Sequence, residues 1–224
     1  MGSCPALSID WTALSQVIGG LGQGVGAIVV AAAAVIGLGA WRKQLRGTRR
    51  HALAEECLSN AYQLQYMVQD LRRPFAWAAE MGQVPAEPGE SEESRRSRAH
   101  WGVVDVRFGA HAANYAAMLT SRFRLQTVFG KDVRDKFEEL LGSVTDVRNA
   151  AIQAVGASRQ FDRLLELAEK NPSHAAARDV AWKQLDELHQ VIWANANGED
   201  QLADRVDAAV NYLVAKLQRE AAAE

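Results

Sequence analysis

Apolar residues follow one another without a charge near the start of the chain. No ionisable side chain lies in residues 11–41, and the run Val17–Ala40 contains Val, Ile, Leu, Ala and Gly with a single amide. About 20 apolar residues in a helix suffice to cross the hydrocarbon of a bilayer. Trp11 and Trp41 flank the run and would lie about 45 Å apart on a straight helix, one at each interface. The pattern predicts a transmembrane helix over residues 17–41, with a buried core helix as the alternative.

Behind this run, apolar residues recur at helical spacing. The first stripe is a heptad and consists of Cys57, Ala61, Leu64, Val68, Leu71 and Phe75. It predicts that the membrane helix continues as a stiff rod until Pro74 kinks or ends it. Further stripes include Trp101, Val104, Phe108, Tyr115 and Leu119, then Val133, Phe137, Leu140, Val144, Val147 and Ala151, then Val180, Leu185, Leu188 and Ile192, and finally Leu202, Val206, Ala209, Leu213 and Leu217.

Breaks between the stripes complete the predicted organisation. Gly130, Asn171-Pro172-Ser173 and Asn197-Gly198 separate the helices, and no segment alternates as a strand does. We therefore expect an all-α protein, with a transmembrane helix that continues into a cytoplasmic antiparallel helical bundle. The domains are a short segment 1–16, the span 17–41 and a helical domain 42–224. A mobile acidic loop, rich in Pro and Gly, is expected near residues 84–94.

Basic residues lie directly after the apolar run. They are Arg42, Lys43, Arg46, Arg49 and Arg50. A cleaved signal peptide carries its cations before the apolar run, so this order favours a retained span. Because Lys and Arg stay on the cytoplasmic side, the N-terminus should lie outside and residues 42–224 inside the cell. Anionic lipid headgroups would attract each of these cations by about 1 kcal/mol.

The predicted span is unusually rich in small residues for a simple anchor. Those at a spacing suited to close helix packing, together with one buried amide, are Gly20, Gly22, Gln23, Gly24, Gly26, Ala33 and Gly37. Small residues four apart let neighbouring helices approach closely, and polar groups in lipid face a partner helix or a water-filled interior. This pattern indicates a homo-oligomer, with a pore between the helices as one form of it. The alternative is that Gly and Ala are merely tolerated there.

Composition and candidate chemistry give no sign of an enzyme. The chain has 25 basic and 27 acidic residues in 224, so no overall positive charge favours nucleic acid. The two cysteines, Cys4 and Cys57, lie on opposite sides of the predicted span and cannot form a disulfide within one chain. His100 and His111 are three turns apart, too far to share a metal ion. His111 is interpreted as a hydrogen-bonded core histidine, and we expect no catalytic residue, metal or cofactor.

A second basic cluster lies on both sides of the acidic loop. Its residues are Arg72, Arg73, Arg95, Arg96 and Arg98, with Trp101 beside them. Cations interleaved with aromatic rings can bind phosphates and stack the bases of a nucleotide or a single-stranded nucleic acid. Such binding would weaken with salt. The alternative, which we favour, is that these arginines pair with Glu87, Glu90, Glu92 and Glu93 of the loop.

Several short segments carry a family resemblance to a bacterial group with one N-terminal span and an all-helical cytoplasmic domain. They are Trp41-Arg-Lys-Gln-Leu-Arg-Gly47, Leu53-Ala-Glu-Glu-Cys-Leu58 and Leu71-Arg-Arg-Pro-Phe75, together with Tyr62. Such proteins are similar in architecture to membrane effectors of anti-phage systems such as Hailong. The resemblance implies an inner-membrane ion channel for antiviral defence, gated through the helical domain by a nucleotide, an oligonucleotide or a regulatory protein. It transfers no binding residue, and a membrane-anchored scaffold without transport activity remains the alternative.

Overall fold

The computed structural model describes the backbone of residues 11–194 and 198–222, and the side chains of residues 34–194 and 198–219. Its helices are α1 (Trp11–Leu71), α2 (Ala78–Met81), α3 (Glu92–Phe129), α4 (Lys131–Lys170), α5 (Ala175–Ile192) and α6 (Gln201–Ala222), with a short 3₁₀ turn at Pro172–His174. No strand is present in these ranges. The predicted all-α class is confirmed.

The chain divides into two compact units, Met1–His51 and Ala52–Glu224. In the first unit, residues 1–10 lie outside the described residues, and only the helical backbone is described for 11–33. The small residues of the predicted span from Gly20 to Ala33 thus fall outside the described side chains. Among the described residues, no helix is long and apolar enough to cross a bilayer. The transmembrane helix therefore stays a prediction.

The core of the second unit forms around α4. This helix packs against α3, α5 and α6. Its predicted stripe is buried throughout, and Phe137 is the largest of the fully buried side chains in the described residues. Alanines at positions 150, 151, 154 and 157 continue the buried face toward its C-terminal half. The predicted heptad of α1 is likewise buried from Cys57 to Leu71.

Two residues of the predicted stripes lie on the surface instead. Phe75 is 75% exposed because α1 ends at Leu71, before the heptad reaches it. Val180 is 70% exposed, and the buried face of α5 starts one residue later, at Ala181. Leu185 and Ile192 of the predicted stripe are buried as expected, and Ala181 takes the place of Val180 on the face of α5 that contacts α4.

The ends of the helices follow local chemistry. The Ser91 hydroxyl accepts a hydrogen bond from the Ser94 N–H at 3.1 Å and caps α3. Gly130 alone joins α3 to α4, with φ at +91°, a conformation that side chains disfavour. Asn171 caps the 3₁₀ turn by accepting from the Ser173 N–H at 3.0 Å. The breaks predicted at Gly130 and Asn171 are confirmed.

Truncation of Phe137 tests whether α4 is the centre of the core. Phe137→Ala should lower the free energy of unfolding by about 3–5 kcal/mol, because it opens a cavity in a fully buried site. Phe123→Ala removes the same ring from an exposed position of α3 and should cost no more than about 0.5 kcal/mol. Urea denaturation followed by circular dichroism measures both variants, and equal losses would contradict the assignment.

Candidate functional site

Arg72 is a buried arginine that caps the end of α5. It is 2% exposed and follows α1 directly. Its Nε–H donates to the Val191 carbonyl at 2.9 Å, and its Nη2 donates to the carbonyls of Gln190 at 3.0 Å and Trp193 at 3.1 Å. The last carbonyls of a helix have no partner within the helix, and they attract cations. Arg72 therefore fixes the C-terminus of α5 against the end of α1.

The same side chain also reaches the start of α6. Nη1 of Arg72 donates to Oδ1 of Asp200 at 2.9 Å. That oxygen also accepts from the Ala203 N–H at 3.0 Å, at the first turn of α6. In return, the Arg72 carbonyl accepts from the Ala194 N–H at 3.0 Å. One guanidinium group thus connects the ends of three helices.

Arg107 of α3 is 3% exposed and plays the same part for α1. Its Nη1 donates to the carbonyls of Leu71 at 3.3 Å and Arg73 at 3.0 Å, and its Nη2 donates to the carbonyl of Phe75 at 2.6 Å. Its charge is balanced by Glu80, which accepts from Nε at 3.1 Å and from Nη2 at 2.9 Å. These bonds hold the pKa of Glu80 below its usual value. The sequence reading missed Arg107, although a charge within the apolar stripe of α3 is a usable signal.

The ligand-binding cluster predicted from the sequence is divided by the fold. Arg72 lies in the core with its donors engaged, so it offers nothing to a ligand at the surface. Arg73 is half exposed and pairs with Asp70 at 3.1 Å and with Glu80 at 3.0 Å. Arg95 lies 4.0 Å from Glu92, and Arg96 is exposed. Only Arg98 and Trp101 line a common cavity.

Arg98 holds the acidic loop, residues 83–91, which we call the strap. Its Nε and Nη2 donate to the two carboxylate oxygens of Glu90, each at 2.7 Å, and Nη2 also donates to the Pro85 carbonyl at 2.6 Å. The Glu90 side chain is only 6% exposed. The hydrogen bonds from Arg98 lower the pKa of Glu90 to about 2. The segment expected to be mobile is thus tied to α3 by its own acids, through the pairing that our alternative interpretation of the arginines predicted.

Glu87 makes a looser contact on the same strap. One carboxylate oxygen accepts from Nη2 of Arg159 at 2.8 Å, and the other lies 3.5 Å from Nε of Arg98. The Glu87 side chain is 52% exposed, unlike that of Glu90. Two arginines from different helices, α3 and α4, therefore share one partly solvent-exposed carboxylate.

A groove of about 450 Å³ lies beside these ion pairs, between the strap, α3 and α4. Its apolar lining includes Val84, Trp101, Val106, Ile152 and Val155, and its polar side chains are Glu87, Arg98 and Asp105. Gly102 brings the strap close, because a Cβ at this position would lie 3.1 Å from Val84. The groove combines an open apolar wall with charged groups at its edge.

Histidines and tryptophans pack together around Trp101, which also lines the groove. The His100 ring lies 4.9 Å from Trp101 and 5.2 Å from Trp193, between ring centroids. Burial, with smaller effects from His189 and Arg107, lowers the pKa of His100, so the ring is neutral at physiological pH. This cluster is packed ring against ring.

The other histidine singled out from the sequence, His111, has its own partner. Its Nε2 lies 3.0 Å from Oδ2 of Asp70. The rings of His111 and Tyr66 are arranged edge to face, with their centroids 6.2 Å apart. Within the part of the chain that the structure describes, no three His, Cys, Asp or Glu residues are placed to hold a metal ion. His111 is a hydrogen-bonded histidine that connects α3 to α1.

The first unit presents apolar and basic side chains on the same helix. Val35, Ile36, Leu38 and Trp41 of α1 are exposed. The exposed cations that follow are Arg42, Lys43, Arg46, Arg49 and Arg50. Gly37 is exposed too, with nothing within 4 Å of a Cβ placed on it. No acid occurs between residue 10 and Glu55, so this stretch carries positive charge alone.

Removal of Arg72 should destabilise the bundle severely. Arg72→Met leaves buried carbonyls and Asp200 without their donor and should cost about 3–5 kcal/mol in urea unfolding. Arg96→Met, at an exposed position of α3, should change the free energy of unfolding by less than about 0.5 kcal/mol. Similar losses in the free energy of unfolding for the two variants would show that the hydrogen bonds of Arg72 do not stabilise the ends of the helices.

Acid should release the strap only well below the ordinary pKa of a glutamate. The folded pKa of Glu90 is lowered to about 2, so its contribution to stability is complete above about pH 4.5 and is lost as the pH falls toward 2. The difference in Tm between wild type and Glu90→Gln should therefore be constant from pH 7 to 5 and shrink below pH 4.5. A difference that vanishes already at pH 5 would contradict the Arg98–Glu90 pairing.

Comparison with known proteins gives no assignment. No protein-family model matches the chain, and neither a curated protein nor a solved structure matches it. The function proposed below therefore rests on the residues and their contacts.

Proposed function

We propose that the chain is a homo-oligomeric membrane effector, with the N-terminal part of α1 in the bilayer and the helical bundle in the cytoplasm. The observation that carries this proposal is the exposed apolar stretch of α1, from Val35 to Trp41, directly followed by exposed cations at residues 42–50. Exposed contiguous apolar surface marks a contact with lipid or with another protein. Anionic headgroups complement the cations, and tryptophan suits the interface.

The second part of the proposal concerns what the membrane helices do. The small residues between Gly20 and Gly37 favour close association of several copies, and Gln23 would face the interior of such an assembly. We propose that the assembly conducts ions and acts in antiviral defence in a bacterial inner membrane, as the resemblance implies. A nucleotide, an oligonucleotide or a regulatory protein that binds the bundle would gate it.

The bundle suits a binding role better than a catalytic one. Its charged side chains lie in pairs, such as Arg148 with Asp105 at 2.9 Å and His111 with Asp70 at 3.0 Å. Among the described residues, Cys57 is the one buried thiol, and burial raises its pKa to about 12, which keeps it protonated and unreactive. We therefore propose a protein that responds to binding and does not transform a substrate.

A membrane-anchored scaffold is the second candidate, and exposed aromatic residues favour it. Phe75 and Trp77, between α1 and α2, are largely exposed, as are Tyr62 and Tyr66 on α1. Aromatic side chains of this kind are common anchors of protein interfaces. In a scaffold, the membrane segment serves only for attachment and its sequence is interchangeable.

Reconstitution of the full chain in vesicles tests the proposal. The protein should form a cyclic oligomer in detergent and release potassium from loaded vesicles, because its small-residue helices pack around a conducting path. Replacement of residues 17–40 by a polyleucine span should keep the protein in the membrane and abolish the release. A monomeric protein that leaves the vesicles sealed would overturn the proposal. Unchanged behaviour of the polyleucine variant in a partner-binding assay would favour the scaffold.

A further inference from the structure

We propose that the groove beside the strap binds a small organic carboxylate, whose charged group replaces Glu87 between Arg98 and Arg159 while its apolar body covers Trp101 and Ile152. This names a ligand class for the bundle. Gating of the membrane helices by such a ligand rests on the proposed function, whereas binding of the ligand to the groove does not. The proposal follows from the difference between the two strap acids, the charge balance and the apolar wall.

The two acids of the strap are held very differently. Glu90 is almost enclosed and gives both oxygens to Arg98 at 2.7 Å. Glu87 is half exposed, contacts Arg159 with one oxygen at 2.8 Å and approaches Arg98 only to 3.5 Å. An exposed ion pair is weak because water competes for both charges. Glu87 can therefore leave while Glu90 keeps the strap in place.

The charges around the groove favour a ligand with one negative charge. Glu90 balances Arg98, and Asp105 is balanced by Arg148 at 2.9 Å. When Glu87 leaves, Arg159 loses the carboxylate that it contacts directly at 2.8 Å. Nη2 of Arg159, which donates to Glu87, can donate in the same way to the carboxylate of a ligand. A monoanionic carboxylate restores neutrality, whereas a phosphate dianion would leave excess negative charge beside Glu90.

The groove also supplies a place for an apolar body. Ile152 is 56% exposed and lines the groove together with Val106, Val155 and Trp101. The space of about 450 Å³ accommodates a group of the size of a naphthalene ring. Small-molecule sites combine such apolar walls with a few polar groups that orient the ligand. Here Arg98 lines the groove and Arg159 contacts Glu87, another lining residue, so a carboxylate in the place of Glu87 would face Arg159 and its ring would cover Ile152.

Isothermal titration calorimetry on the full chain in detergent tests the site, with 2-naphthoate as the probe. Acetate, which lacks the apolar body, and 2-naphthalenemethanol, which lacks the charge, should bind at least 10-fold more weakly. Arg159→Gln should weaken the binding of 2-naphthoate by at least 10-fold, and Ile152→Trp should abolish it by filling the groove. Arg163→Gln removes a charge one turn along α4, away from the groove, and should leave the affinity unchanged.

The variant Glu87→Gln tests whether the ligand displaces the Glu87 carboxylate or whether this carboxylate only stabilises the fold. Removal of the competing charge should tighten the binding of 2-naphthoate several-fold. Binding by Glu87→Gln but not by wild type would also support the site, with Glu87 as a stronger competitor. Weaker binding by Glu87→Gln, equal binding of the alcohol, or no binding by either protein would overturn the proposal. Vesicle release does not enter this test, so a silent channel would leave its outcome unaffected.

Discussion

The bundle depends on two guanidinium groups that satisfy the carbonyls at the ends of helices. The last carbonyls of α1 and α5 would otherwise be buried without donors, a situation that proteins avoid. Arg107 serves the end of α1, and Arg72 serves the end of α5. Arginine suits this role because it offers five donors in a fixed plane and keeps its charge when buried. Each charge is balanced by one acid, Glu80 for Arg107 and Asp200 for Arg72.

This arrangement also determines where the groove can form. Arg107 and Arg98 both belong to α3, so the helix that receives the end of α1 also holds the strap. The same helix carries Trp101 between these two arginines and Gly102 beside it. Gly102 allows Val84 to pack closely, which brings the strap down to α3 at one edge of the groove. The groove therefore forms because two residues of α3, Arg98 and Gly102, hold the strap against this helix.

Much of the fold could be predicted from the sequence, because helical stripes and their breaks are local signals. The stripes of α1, α4 and α6 are buried as expected, and Gly130 and Asn171 end helices where their chemistry demands it. In α5 the prediction was wrong at Val180 alone, since the face that packs against α4 contains the neighbouring Ala181 instead. The membrane span lies mainly in residues whose side chains the structure does not describe, so it stays a prediction.

The site was harder to predict, for a physical reason. Arg72 and Arg98 are indistinguishable by composition, yet one bonds to carbonyls about 120 residues away while the other bonds to a loop nearby. Sequence spacing can place a cation near an acid on the same segment, as it did for Arg98 and Glu90. It cannot reveal that a helix ending far along the chain needs a donor.

The two roles of arginine in this bundle differ in how completely their donors are used. Arg72 and Arg107 are enclosed and spend their donors on backbone carbonyls that cannot move without unfolding. Arg159 is half exposed and donates to Glu87, a side chain that is half exposed as well. Exchange of one carboxylate for another is possible only in the second case, because water screens the charge and the backbone is not involved. The proposed replacement of Glu87 by a ligand carboxylate would therefore use the partly exposed Arg159, while the buried Arg72 and Arg107 hold the ends of the helices.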